Sequence, residues 1–101
     1  MKLYAMKLLT ITCEILGQKN VLDILHKHHI TGYTFYEVGG SGNKGIRGQG
    51  FQSEKNIKIE VILQEEKLFD VLEEIARTLF SDYTIITYVS DVGVIRMEKF
   101  S

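Results

Sequence analysis

An α+β fold, with two helices packed on one face of a four-stranded antiparallel sheet, is what this sequence predicts, and three observations predict it. Two segments, Glu14 to His28 and Glu65 to Phe80, repeat their apolar residues with the helical period. Around them lie four segments suited to strands, one of which, "NIKIEVIL", alternates strictly between apolar and polar. The chain has 101 residues, no proline and no linker. All the pieces must therefore share one core, because a chain this small buries only about two-thirds of its unfolded surface and cannot divide that in two.

The first strand runs from Leu3 to Thr12, rich in β-branched and large apolar residues and free of breakers. Its opening, "MKLYAMKLLTITC", has the basic start, apolar run and cysteine of a lipoprotein leader. Lys7 interrupts that run and Thr12 stands where a smaller residue belongs, so the stretch reads as a strand. In the first helix Ile15, Leu16, Val21, Leu22, Ile24 and Leu25 form a broad stripe, with Gln18, Lys19, Asp23 and Lys27 on the wet side. Gly17 weakens it by about 1 kcal/mol relative to alanine.

"TGYTFYEV" supplies the second strand, Gly32 easing the turn into a β-favouring aromatic and threonine run. In "NIKIEVIL", Ile57, Ile59, Val61 and Leu63 face one way and Lys58 and Glu60 the other. The second helix follows with Leu68, Val71, Leu72, Ile75 and Leu79 on its inner stripe, and Glu65 and Glu66 in the first turn, where the helix dipole favours negative charge. "SDY" makes a turn, "TIITYVS" a fourth strand, and Asp91 to Phe100 a short tail with room for another extended piece. The order β-α-β-β-α-β is the split βαβ pattern of a ferredoxin-like sandwich, a single domain spanning 1–101.

Composition narrows the function classes. Twelve basic against 13 acidic side chains leave a net charge of −1, so there is no general attraction for a polyanion and any anion binding must be local. Nucleic acid is not expected as a partner, since the third strand carries no aromatic residue where an RRM would stack bases. Cys13 is the only cysteine, which excludes an internal disulfide and a cysteine-based zinc site and suits a reducing cytosol. No arrangement of residues suggests catalysis. Glu65, Glu66, Glu73 and Glu74 read as the wet side of a helix.

The chemistry concentrates in "GGSGNKGIRGQG", Gly39 to Gly50, which holds six of the nine glycines together with Lys44 and Arg47 and no acid. Gly40-Ser41-Gly42-Asn43-Lys44-Gly45 spells GxGxxG, but no helix follows, so the dinucleotide-binding context is missing. A P-loop fails as well, because Ile46 follows Gly45 where that motif needs lysine. Two readings remain open on composition: an anion-binding nest of backbone amides reinforced by two cations three residues apart, or a solvated hairpin tip. A connection this long between adjacent strands is unusual in either case. Separately, His26, His28 and His29 cluster at the end of the first helix, where His26 and His29 could share a metal.

The element order, "GYTFYEVGG", "GSGNKGIRGQG", "NIKIEVIL" and "FSDYTIITYVSDVGVIRMEKF" together resemble the P-II signalling superfamily, most nearly its SbtB type, over nearly the whole chain. Gly32, Tyr33 and Thr34 match the opening of that family's second strand. Lys44 stands where arginine is usual, and Arg47 matches directly. The resemblance implies a non-enzymatic cytoplasmic regulator that forms a homotrimer with nucleotide sites between subunits. AMP, cyclic AMP, ADP or ATP would bind as effectors, with no cofactor besides. A projecting T-loop, about 39–55 here, would contact a membrane transporter, for bicarbonate, from the cytosolic side and so place the protein peripherally at the inner face of the membrane.

The ligand residues implied, together with the loop chemistry above, are Thr34, Gly40, Ser41, Gly42, Asn43, Lys44, Gly45, Arg47, Tyr88, Val89 and Ser90. Two features depart from the P-II proteins proper: only "FSDY" precedes the last strand in place of a glycine- and lysine-rich loop, and Glu98 replaces one arginine of a C-terminal pair whose other member is Arg96. Against the SbtB type, the loop is shorter than is typical and the C-terminal cysteine-containing extension of some members is missing. The first two favour a mono- or diphosphate. The alternative on the same trimeric scaffold is a metal-binding or metal-tolerance protein with the three histidines as ligands.

Overall fold

The computed structural model describes residues 1–42, 45–47 and 55–100. Strand β1 spans Tyr4–Glu14, helix α1 Gln18–Lys27, β2 Thr34–Val38, β3 Gly40–Gly42, β4 Gly45–Arg47, β5 Asn56–Leu63, helix α2 Glu65–Leu79 and β6 Ile85–Val94. β2, β5, β1 and β6 form one antiparallel sheet in that spatial order, and β3 pairs with β4 as a separate ribbon. This is the ferredoxin-like β-α-β-β-α-β sandwich that the periodicities require.

The core lies between the sheet and its two helices. Leu9, Ile11 and Cys13 of β1 meet Ile57, Ile59, Val61 and Leu63 of β5 on one sheet face, and Val21, Leu25, Leu68, Val71 and Ile75 of the helices close over them. Strict alternation in β5 makes this possible: every second residue is buried and the intervening ones are not.

Two boundaries differ most from those the periodicity predicts, besides β1, which runs on from Thr12 to Glu14, and β2, which begins only at Thr34. The first helical segment splits into a 3-10 turn, Ile15–Gly17, followed by α1. The reason is Gly17, over which the Tyr83 ring lies so closely that a Cβ would sit 3.2 Å from it. The glycine that looked like a flaw in a helix is the place where the turn after α2 docks. The second change is β6, which continues past Ser90 to Val94 because β1 offers partners as far as Tyr4. Lys7 and Asp91, opposite one another in that register, form an ion pair.

At its C-terminus α1 stops in a Schellman motif. Ile30 N–H donates to the Leu25 carbonyl at 2.9 Å and His29 N–H to that of His26 at 3.0 Å. His29 takes the left-handed position at φ 64°, where glycine is the usual residue.

Candidate functional site

The segment 39–55 leaves the sheet from β2 and returns into β5, and its root is the row Val38–Asn56–Glu14. The root is braced twice. Ile15 N–H donates to the Lys55 carbonyl at 3.0 Å, and Lys55 Nζ lies 3.4 Å from a Glu37 carboxylate oxygen. Beyond the root the glycine-rich stretch is a ribbon, with Gly40 opposite Arg47, Ser41 opposite Ile46 and Gly42 opposite Gly45. That register brings Arg47 back level with Gly40, two positions beyond the end of β2. Asn43 and Lys44 lie outside the described residues, as does much of the T-loop expected over 39–55.

The remaining expected ligand residues fall at two opposite edges of the sheet. Thr34 on β2 is level with Glu60, Thr10 and Tyr88 in one row across all four strands. Thr34 and Tyr88 share a face but stand three strand spacings apart, about 14 Å. One adenosine cannot touch both within a single protomer. Ser90 is on the same face as Tyr88, whereas Val89 pairs with Leu9 and points to the helix side, so only its backbone is available at that face. Tyr36, Ile86 and Tyr88 leave roughly half their surface in water, at 43%, 60% and 48%.

The histidines do not converge. His28 Nε2 donates to Glu74 Oε1 at 2.9 Å, His26 Nε2 lies 3.3 Å from the Tyr33 hydroxyl, and His29 caps the helix. No group of three His, Cys, Asp or Glu side chains among the described residues could hold a metal ion. Glu74 is instead a clamp between helices. Hydrogen bonds from His28 and from Lys27, at 3.1 Å, hold its carboxyl below the usual carboxylate range. Cys13 is equally uninvolved, because burial pushes its thiol up to about 11 and leaves it neutral in the core.

Sequence reasoning missed two features that only folding assembles. Glu14 Oε1 accepts the Thr84 N–H at 2.6 Å, joining the end of β1 to the turn before β6 across 70 positions. A depression at the other end of the sheet brings Lys67 and Lys99 beside Thr31 and Gly32. No local motif marks either one.

A family model described as nitrogen regulatory protein P-II matches residues 6–99. Among solved structures, the chain is similar to a putative PII-like signalling protein from Thermus thermophilus, at 34% identity and TM-score 0.85, with all of both chains covered. It is also similar to CPII, a PII-like protein from Thiomonas intermedia. The form bound to ADP and bicarbonate matches at 28% identity and TM-score 0.88, covering 99% of this chain and 98% of that one. A second form, bound to ADP, AMP and bicarbonate, matches at 26% and 0.79, covering 94% and 100%.

Proposed function

The chain belongs to the nitrogen regulatory protein P-II family, and from that premise we propose that it is an SbtB-type regulator whose loop conformation reports adenine nucleotides. Three copies assemble as a ring, and AMP, cyclic AMP, ADP or ATP binds in the cleft between neighbours. The observation that carries this reading is the placement of Thr34 and Tyr88 at opposite sheet edges, about 14 Å apart on one face. A neighbour related by rotation brings the β6 edge of one copy to the β2 edge of the next, and the two half-sites then meet. The apolar residues left on the open face, Ile86 and Tyr88 among them, suit such an assembly. CPII, solved with ADP, AMP and bicarbonate, supports the ligand class.

Within the cleft the adenosine lies against Thr34 of one copy and Tyr88, Val89 and Ser90 of the other. The phosphate meets Lys44, Arg47 and the amides of Gly40, Ser41, Gly42, Asn43 and Gly45. Lysine supplies a mobile charge and arginine a planar fork. Glycine-rich backbone has much conformational freedom to lose, so the loop settles where a ligand offsets that cost. Each nucleotide then favours its own loop shape, and a membrane transporter for bicarbonate, met from the cytosolic side, binds one shape better. The regulation is as large as that difference in affinity and no larger.

No helix among the described residues is long and apolar enough to cross a membrane; in this reading membrane contact is made through the partner. Arg47→Ala tests the site. Loss of one charge-assisted contact, about 1.5 to 3 kcal/mol, lowers nucleotide affinity at least tenfold with the fold intact; unchanged affinity by calorimetry removes Arg47 from the site.

A further inference from the structure

We propose that the depression bordered by Lys67 and Lys99 is a second anion site, one that takes a small doubly charged oxyanion of the phosphate class and does not depend on the nucleotide reading above. It lies at the end of the sheet away from the loop root. Leu63, which lines it, is the last residue of β5, and Asn56, at the root, is the first. Seven steps of about 3.3 Å set the two places about 23 Å apart.

Three stretches distant in sequence build the depression. The left-handed turn at His29 ends α1 and buries Ile30, which carries Thr31 and Gly32 along its rim ahead of the ladder that begins at Thr34. Lys67 comes from the first turn of α2, and Lys99 from the 3-10 turn Met97–Phe100 that follows β6. Space is open in front of the rim, since a Cβ built on Gly32 would meet nothing within 4 Å.

Charge sets this place apart from the rest of the surface. Lys7, Lys19, Lys27 and Lys55 each have a carboxylate partner, in Asp91, Asp23, Glu74 and Glu37. Lys67 and Lys99 have none among the described residues, and no acidic residue lines the depression that they share. Glu65 and Glu66 stand in the same turn as Lys67 but are exposed and lie outside the lining, and Glu98 is engaged by Arg96. Two uncompensated ammonium groups at one hollow repel each other, and an anion between them relieves that repulsion. The Thr31 hydroxyl adds a hydrogen-bond donor at the rim.

The experiment titrates the isotope-labelled full chain with inorganic phosphate at about pH 8, where it carries about two negative charges, and with acetate as the singly charged control. Ionic strength is held constant with sodium chloride, and amide chemical shifts are the readout. The expected result is saturable shifts centred on Thr31, Gly32 and Lys67, with phosphate bound about fivefold more tightly than acetate, the effect of one further charge pair at about 4 Å in water. Lys67→Gln and Lys99→Gln each weaken phosphate by about the same factor. Lys19→Gln, which removes an exposed lysine paired with Asp23 elsewhere on the surface, leaves its affinity unchanged. The same spectra report the fold of each variant. Shifts that spread over the surface without saturating, equal responses to phosphate and acetate, or an affinity that neither Lys67→Gln nor Lys99→Gln alters would each overturn the proposal.

Discussion

The two faces of the sheet differ although the same strands make both. On the helix side, Leu9, Ile11, Ile57, Ile59, Val61 and Leu63 are buried almost completely. On the other side β5 shows Lys58 and Glu60 in the manner of a wet surface, while β6 leaves Ile86 and Tyr88 uncovered in the same sheet. One face is finished within the chain. The other is mixed, polar along β5 and apolar along β6, and it is the face on which the proposed assembly depends.

That contrast breaks first under a paired substitution. Ile59→Ala opens a cavity in the finished face and costs about 2 to 5 kcal/mol at every protein concentration, read by chemical denaturation. Ile86→Asp on the open face is expected to leave the protomer folded and to dissociate the proposed trimer to monomer, read by sedimentation. If Ile86→Asp sediments as wild type, the open face does not mediate assembly. If it unfolds the protomer as Ile59→Ala does, the two faces are energetically alike and the comparison fails.

A smaller effect sharpens the helix side. His29 holds a left-handed backbone at the end of α1, a conformation that costs a residue with a side chain about 1 kcal/mol. His29→Gly relieves it and raises stability by about that amount in urea melts. A loss of stability would show that the imidazole makes a contact worth more than the strain.

The smallest expected effect is acid-dependent. The Glu74 carboxyl is held below its ordinary range by hydrogen bonds from His28 and Lys27. A carboxylate depressed in the folded state stabilises fully above its unfolded pKa of about 4.5 and loses that contribution as pH falls through the folded value. Melting temperature should therefore fall below about pH 4.5 in wild type, and the fall should be shallower in Glu74→Gln. Equal acid limbs would remove Glu74 from the helix-to-helix clamp.

Most of the fold was legible because each element announced itself locally. Strict alternation marked Asn56–Leu63 to the residue, and the stripe of Leu68, Val71, Ile75 and Leu79 marked α2 within one residue of its end. The misjudged places were those where a distant side chain decided the backbone. Gly17 looked like a weak point in a helix until Tyr83, far along the chain, was seen lying over it. β6 outran its own propensities, through Asp91 and Gly93, because β1 supplied a partner strand. The histidine cluster is the same lesson reversed: three neighbours in sequence go to Tyr33, to Glu74 and to a helix cap.

By itself the sequence determined the element order, the core-facing residues and the family, since period and motif are carried by neighbours along the chain. It also drew attention to the glycine-rich segment with Arg47. Only the tertiary structure decided that Thr34 and Tyr88 stand at opposite edges in one row, and that Glu14 joins the turn at Thr84 beside the loop root. Register across four strands is a long-range quantity, fixed by how buried side chains pack between sheet and helices, and no single stretch of sequence contains it.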